Sequence, residues 1–199
     1  MTQNLFDFDK NFSVNFIAGV DEAGRGPLAG PVVAACCMLP LDRMIDGIND
    51  SKKLSEAKRE RLYGEITSSG VYKISIIPHD VIDEINILRA TKRAMTECIE
   101  SMSVKPELVL IDAVQLNVSV PVKSIIKGDA QSYNIAAASV LAKVTRDRIM
   151  REYDLIYPQY GFAKNKGYGT AEHIAALKKF GLCPIHRKTF IKNFKRSDL

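Results

Sequence analysis

Five short apolar runs punctuate the chain between residues 16 and 126. Residues 16–21 and 31–39 read as two strands joined by a Gly-Arg-Gly-Pro turn. Residues 71–77 alternate well enough for a third strand. Residues 108–111 form a brief apolar run ending at Asp112, the pattern of a buried strand. Residues 122–126 make a fifth, stopping just before Asp129. Helical spacing fills the gaps. Ser55 is placed to cap a helix reaching about Ser68. Residues 80–101 carry Val81, Ile85, Leu88, Ala94, Met95 and Cys98 near helical periodicity. The longest pattern, residues 131–156, places Ile135, Ala138, Ala142, Ile149, Tyr153 and Ile156 along one side. Thr170 caps a short helix, and Gly181 follows its end. Residues 1–14 read as a polar tail.

The predicted order, β-β-β-α-β-β-α-α with one helix inserted after the second strand, is a mixed α/β arrangement. One junction stays open. If the strands ending at Asp112 and near Asp129 are parallel, their connection is short for a crossover. No repeat, low-complexity segment or linker interrupts the 199 residues, so one domain, or one with a small appendage, is expected.

Composition narrows this picture modestly. The chain is 46% apolar and 26% charged, which fits a soluble globular protein. Its net charge of +5 favours anionic partners without identifying them. The four cysteines form no C-x-x-C pair, so buried reduced thiols fit better than zinc ligands or disulfides. The N-terminus lacks an apolar signal-peptide core, and no apolar run approaches 18 residues. Cytoplasmic residence and no membrane contact are therefore expected.

Candidate chemistry gathers where the strands stop. Asp21 and Glu22 end the first run, Asp112 the fourth, and Asp129 follows the fifth. A single acidic residue after a strand is ordinarily a turn former or a helix cap. Asp129 in particular can be read as the cap of a helix starting near Ala130. Three such ends in one small domain can instead converge at a sheet edge. Clustered carboxylates must then protonate or bind cations. Oxygen-only ligands favour Mg²⁺ or Mn²⁺. Two such ions about 4 Å apart activate a water and stabilise the leaving oxygen of a phosphodiester.

Other segments add possible anion contacts. Gly24-Arg25-Gly26-Pro27 matches neither a dinucleotide fingerprint nor a P-loop. It is either a plain hairpin turn or a backbone cradle for a sugar-phosphate, with Arg25 adding charge. Ser51 and Lys52 lie in a polar loop before a helix and can hold a phosphate or simply face solvent. Lys143, Arg146, Arg148 and Arg151 sit on the long helix, where a solvated face is the default. Tyr168, flanked by glycines and preceded by Lys164 and Lys166, suits a loop that presents an aromatic hydroxyl to a 2′-OH or sugar. The stretch from His186 to Arg196 interleaves basic residues with Phe190 and Phe194 and can offer charge to a duplex.

An ordered set of motifs then resembles the bacterial ribonuclease HII family from about Phe16 to Phe190. The set is GVDEAGRGP (19–27), DSKKL (50–54), LIDA (110–113), KGD (127–129), AAASVLAKVTRD (136–147), KGYGT (166–170) and HRKTF (186–190). The resemblance implies a ribonuclease H-like fold, a five-stranded mixed sheet flanked by helices. It places a catalytic core to about residue 157 and a small C-terminal helical extension over 158–199. It implies a metal-dependent endonuclease acting on RNA–DNA hybrids and cutting 5′ of single ribonucleotides in duplex DNA, leaving 3′-OH and 5′-phosphate ends. By resemblance, Asp21, Glu22, Asp112 and Asp129 bind Mn²⁺ or Mg²⁺. The Gly24–Arg25–Gly26 turn reads the ribose 2′-OH, and Tyr168 senses the RNA–DNA junction. Ser51, Lys52, Ser139, Lys143 and Arg146 fall where the family contacts or supports the nucleic-acid backbone. The length disfavours the longer ribonuclease HIII relatives, and a monomer is expected. The tail beyond Phe190 shows no sliding-clamp-binding pattern of glutamine and paired aromatics. Two alternatives are a DNA-junction or end-processing nuclease of the same fold and a non-catalytic nucleic-acid binder.

Overall fold

The computed structural model describes residues 2–112 and 114–192. Ala113, in the third motif, and the basic tail from residue 193 onward lie outside the described residues. A five-stranded sheet has the order β3-β2-β1-β4-β5. Its strands are β1 (Ile17–Ala23), β2 (Val32–Met38), β3 (Val71–Ile77), β4 (Leu108–Asp112) and β5 (Val122–Ile125). β1, β2 and β3 pair antiparallel, whereas β1–β4 and β4–β5 are parallel. Mixed pairing around β1 is what the sequence order predicts.

Both faces of β2 are buried, and its side chains alternate between two cores. Val33, Ala35 and Cys37 face one layer; Val32, Ala34, Cys36 and Met38 face the other. On the first face lie α1 (Thr2–Lys10), α2 (Glu56–Ser69) and α5 (Tyr133–Ile156). On the second lie α3 (His79–Ile85) and α4 (Ile87–Glu100). α5 approaches β1 so closely that a Cβ on Gly19 would fall 2.1 Å from the Asn134 carbonyl carbon. A third, smaller core joins Leu28, Ala29 and Met150 to the C-terminal elements α6 (Phe162–Asn165), α7 (Ala171–Phe180) and α8 (Lys188–Ile191).

Three features depart from the sequence reading. Residues 1–14 are not a tail throughout: α1 buries Leu5 and Phe6, and Phe6 meets Tyr133 edge-on at 5.2 Å. The Asp9 carboxylate, fully buried, accepts hydrogen bonds from the backbone and side-chain nitrogens of Asn134 at 2.8 and 2.9 Å. It thereby satisfies free donors at the α5 N-terminus. The pattern over 80–101 is two helices, broken at Asn86, whose φ of 68° no α-helix accommodates. Among the described residues, the short β4–β5 connection contains no helix. Val114, Leu116, Val118 and Val120 instead pack an extended segment onto the second core. An extended chain covers more ground per residue than a helix, which is how so short a link crosses over.

Candidate active site

The register of β1 and β4 builds the acidic end of the site. Val20 pairs with Ile111 in parallel, so Asp21 and Asp112 are the next residues on adjacent strands at the same sheet edge. Asp129 arrives on a 3-10 turn after β5. It does not cap α5; Ser132 does, accepting from the Ile135 N–H. Asp112 accepts from the Gly128 N–H at 3.3 Å, tying the turn that carries Asp129 to β4.

Electrostatics show that these carboxylates feel one another. Burial pushes the Asp21 carboxyl well above its ordinary value, and the charges of Glu22 and Asp129 push it further. Burial also raises Glu22, partly opposed by Arg25, with Asp112 adding repulsion. Two cations answer the cluster. Arg25 lies 3.3 Å from Glu22, and Lys52 reaches Asp129 at 3.2 Å. Burial draws the Lys52 ammonium down, but its hydrogen bond to Asp129 and the charges of Asp129, Asp50 and Asp21 leave it raised overall. Among the described residues no three His, Cys, Asp or Glu groups stand ready as a metal coordination sphere. The donor chemistry nonetheless fits a hard divalent cation: oxygen ligands only, excess negative charge, and, at Asp21 and Glu22, carboxyls whose ionisation burial and mutual repulsion disfavour.

These groups open into a cleft of about 360 Å³. It is lined by Asp21, Glu22 and Asp112, by Gly24, Arg25 and Gly26, by Ser51 and Lys52, and by Lys143, Arg146 and Tyr168. Asp129 stands beside it, reached through Lys52. Ser51 and Lys52 are held by a short 3-10 turn. Asp50 accepts from the Lys52 N–H at 3.0 Å, and Ser139, buried below, accepts from the Ser51 N–H at 3.2 Å. Ser139 therefore supports the loop rather than touching a ligand. Lys143 borders the cleft and pairs with Asp147 at 2.7 Å. Arg148 and Arg151 reach Glu56 and Glu60 on α2, the solvated-face role expected of them.

The Gly24–Gly26 turn is set from behind by two buried guanidiniums. Arg146, expected as a nucleic-acid contact, is 1% exposed. It donates to the carbonyls of Pro31, Lys166 and Ala29 at 2.9, 2.9 and 3.1 Å. Arg187, read within the basic stretch as charge offered to a duplex, is instead fully buried and donates to Gly30, Arg25 and Gly24 at 2.9, 3.0 and 2.6 Å. Burial lowers Arg146 to about 10 and, with repulsion from Arg146, Arg187 to about 9. Both remain cations at neutral pH. The Gly24 and Arg25 carbonyls are thus occupied. Among the described residues nothing accepts from the N–H groups of Gly24, Arg25 or Gly26, which leaves three donors for an anion or hydroxyl.

The two glycines differ. Gly24 has φ of 98°, and a Cβ there would lie 2.1 Å from Arg146 Nε. Gly26 has no such constraint: a Cβ would come no nearer than 3.5 Å, to the Tyr168 ring. The protein's own packing does not require glycine at 26, whereas close approach of a ligand would. Tyr168, 46% exposed, is the aromatic at this edge of the cleft.

The family model described as Ribonuclease HII matches residues 18–193. The chain belongs to the ribonuclease HII family. As a member it is an enzyme, a ribonuclease H. It is 63% identical over 197 residues to the ribonuclease HII of Ruminiclostridium cellulolyticum, covering 96% of this chain and 77% of that protein. Among solved structures, ribonuclease H2 from Pyrococcus horikoshii OT3 superposes with a TM-score of 0.73 at 30% identity, covering 87% of this chain and 93% of the other. The RNase HII of Archaeoglobus fulgidus, solved in complex with PCNA, gives a TM-score of 0.74 at 25% identity over 92% of this chain and all of its counterpart. These likenesses agree with the ribonuclease H-like fold of the sheet and its flanking helices.

Proposed function

We propose that this ribonuclease HII is a divalent-metal-dependent endonuclease, acting as a cytoplasmic monomer, that hydrolyses the RNA strand of RNA–DNA hybrids. It also incises 5′ of single ribonucleotides in duplex DNA, leaving 3′-OH and 5′-phosphate ends. The observation that carries this reading is one cleft holding both a cation-demanding carboxylate cluster and a turn with three uncommitted N–H donors beside Tyr168. Asp21, Glu22, Asp112 and Asp129 would hold Mg²⁺ or Mn²⁺. Bound there, the ion supplies an activated water and stabilises the departing 3′-oxygen. The chain's own groups do the reading. The Gly24–Gly26 donors meet the ribose 2′-OH and adjoining phosphate, and Tyr168 packs on the sugar at the RNA–DNA junction. Lys52, Lys143 and Arg25 attract the backbone.

The test uses an end-labelled DNA duplex with one internal ribonucleotide, an all-DNA control, and Mg²⁺, Mn²⁺ or EDTA. Cutting 5′ of the ribonucleotide, abolished by EDTA and absent from the control, is expected. Binding without metal-dependent cutting of this duplex would overturn the single-ribonucleotide activity. Cleavage of branched all-DNA substrates would favour a junction nuclease. A sliding clamp is a candidate partner because the A. fulgidus relative was solved with PCNA. Co-elution with a purified bacterial clamp tests it, and separate elution would reject it.

A further inference from the structure

His186 and Arg187 adjoin in the chain and reach towards two different parts of the cleft. Arg187 donates to the Gly24 and Arg25 carbonyls, as described above. His186 is 1% exposed and points its Nε2 at the Nε2 of fully buried His173, 3.0 Å away. His173 Nδ1 lies 2.9 Å from the backbone carbonyl of Tyr168. The backbone holds the same geometry: Ala29 bridges to His186, and Arg187 N–H donates to Leu28 O at 2.8 Å. One dipeptide thus touches the anion-binding turn on one side and the Tyr168 loop, through His173, on the other.

The protons along this path are determined by the partners. A carbonyl can only accept, so His173 Nδ1 carries hydrogen. In the neutral ring its Nε2 is then bare, and His186 Nε2 must donate to it. His186 Nδ1 is left as an acceptor, and the Cys183 N–H faces it at 2.9 Å. Burial lowers His173 and takes His186 down to about 4, disfavouring a second proton on either ring. Tyr160 and Phe162 close the pair off, with ring centroids 5.0 and 5.7 Å from His186. The hydrogen bonds run in one direction, from the Cys183 N–H through His186 and His173 to Tyr168, while the Cys183 carbonyl and thiol lie beside His186 Nδ1 at 3.2 and 3.1 Å.

We propose that His186 and Arg187, with His173 between His186 and Tyr168, are positioning residues that fix the Gly24–Gly26 turn relative to Tyr168 and so set selectivity for a lone ribonucleotide. This rests on the substrate class proposed above. A turn and a tyrosine belonging to separate segments can grip one nucleotide only if their spacing is held. Charge-assisted bonds to successive carbonyls, together with a one-way hydrogen-bond path, hold it more tightly than apolar packing. Neither group touches nucleic acid itself.

The test compares kcat/KM on the single-ribonucleotide duplex with that on an RNA–DNA hybrid. Wild-type failure on both substrates would sink the functional reading itself, a separate result from the one sought here. Arg187→Lys keeps the charge but cannot span three carbonyls, and His173→Leu removes the path to Tyr168. Each is expected to lower the ratio of the two substrates at least fivefold, whatever its effect on melting temperature. His173→Asn, which keeps a donor near the Nδ1 position, should restore most of the ratio. A purely structural role would lower both substrates together, and ratios within twofold of wild type in both variants would overturn the proposal. Should the variants not fold, imidazole ¹⁵N spectra of the wild type at pH 6 decide. Hydrogen on Nδ1 of His173 and on Nε2 of His186 is expected, and the opposite tautomers would overturn it.

Discussion

The two halves of the cleft are built on opposite principles. The acidic half places Asp21, Glu22, Asp112 and Asp129 together with more charge than the protein neutralises. Arg25 and Lys52, the cations that answer it, are exposed side chains, 50% and 78% accessible. The turn half is braced from behind: the carbonyls of Gly24, Arg25, Ala29, Gly30 and Pro31 each accept from the buried, charged Arg146 or Arg187. One half lacks the positive charge to balance it, while the other is held rigid from behind and presents free N–H donors on a fixed surface. The proposed activity, metal-dependent and sugar-reading, calls for both, and mutations in the two halves should fail differently.

The largest effect belongs to the acidic half. Asp112→Asn should lower cleavage of the single-ribonucleotide duplex about a thousandfold or more, roughly 4 kcal/mol of transition-state stabilisation. Folding should be intact, so steady-state kinetics beside a melting curve separate the two. Retention of more than a tenth of the activity would remove Asp112 from the site. Arg146→Met should do the reverse and strike stability. It leaves three buried carbonyls without donors, costing about 3 kcal/mol and lowering the melting temperature by roughly 8 °C. An unchanged calorimetric midpoint would contradict the supporting role.

The two glycines sharpen the contrast within the turn. Gly24→Ala strains a left-handed residue against Arg146 and should cost about 1–3 kcal/mol. Gly26→Ala should melt like the wild type and yet raise KM for the ribonucleotide substrate severalfold, because only the ligand needs that space. Equal melting temperatures for the two variants would break the distinction.

The smallest effect is on stability without metal. Folding lifts the Asp21 carboxyl above its ordinary value of 3.8, chiefly through burial. Its contribution is therefore fully present below that pH and is lost as pH rises through the native value. In EDTA at neutral pH, Asp21→Asn should melt a few degrees above the wild type, about 1 kcal/mol. Mg²⁺ should stabilise the wild type more than the variant. A lower melting point for Asp21→Asn in EDTA would deny the charge excess.

Most of the fold was legible because its strands are apolar runs closed by carboxylates or turn residues. Ser55 and Thr170 mark helix starts by their side chains, whereas the cap at Ser132 was hidden behind the equally cap-like Asp129. The acidic half was legible for the same local reason. The α1 segment escaped because Leu5, Phe6 and Phe8 are interspersed with polar residues, and only docking against α5 gives Leu5 and Phe6 a core. The helix break at Asn86 escaped because the apolar spacing runs on through it. Arg146 and Arg187 bond carbonyls more than 100 residues away, and no pattern along the chain distinguishes such a guanidinium from a solvated one. His173 and His186, 13 residues apart, are paired only by the turn after α7.

The account's central claim is that the carboxylate cluster performs the cleavage while the turn and basic groups hold the duplex. Its most direct test measures binding and cleavage together on a duplex with one ribonucleotide, for the wild type and Asp21→Asn in Mg²⁺ or Mn²⁺. Binding within a few-fold of wild type, with no cleavage by the variant, is the predicted result. Cleavage by Asp21→Asn at a rate close to wild type would contradict it.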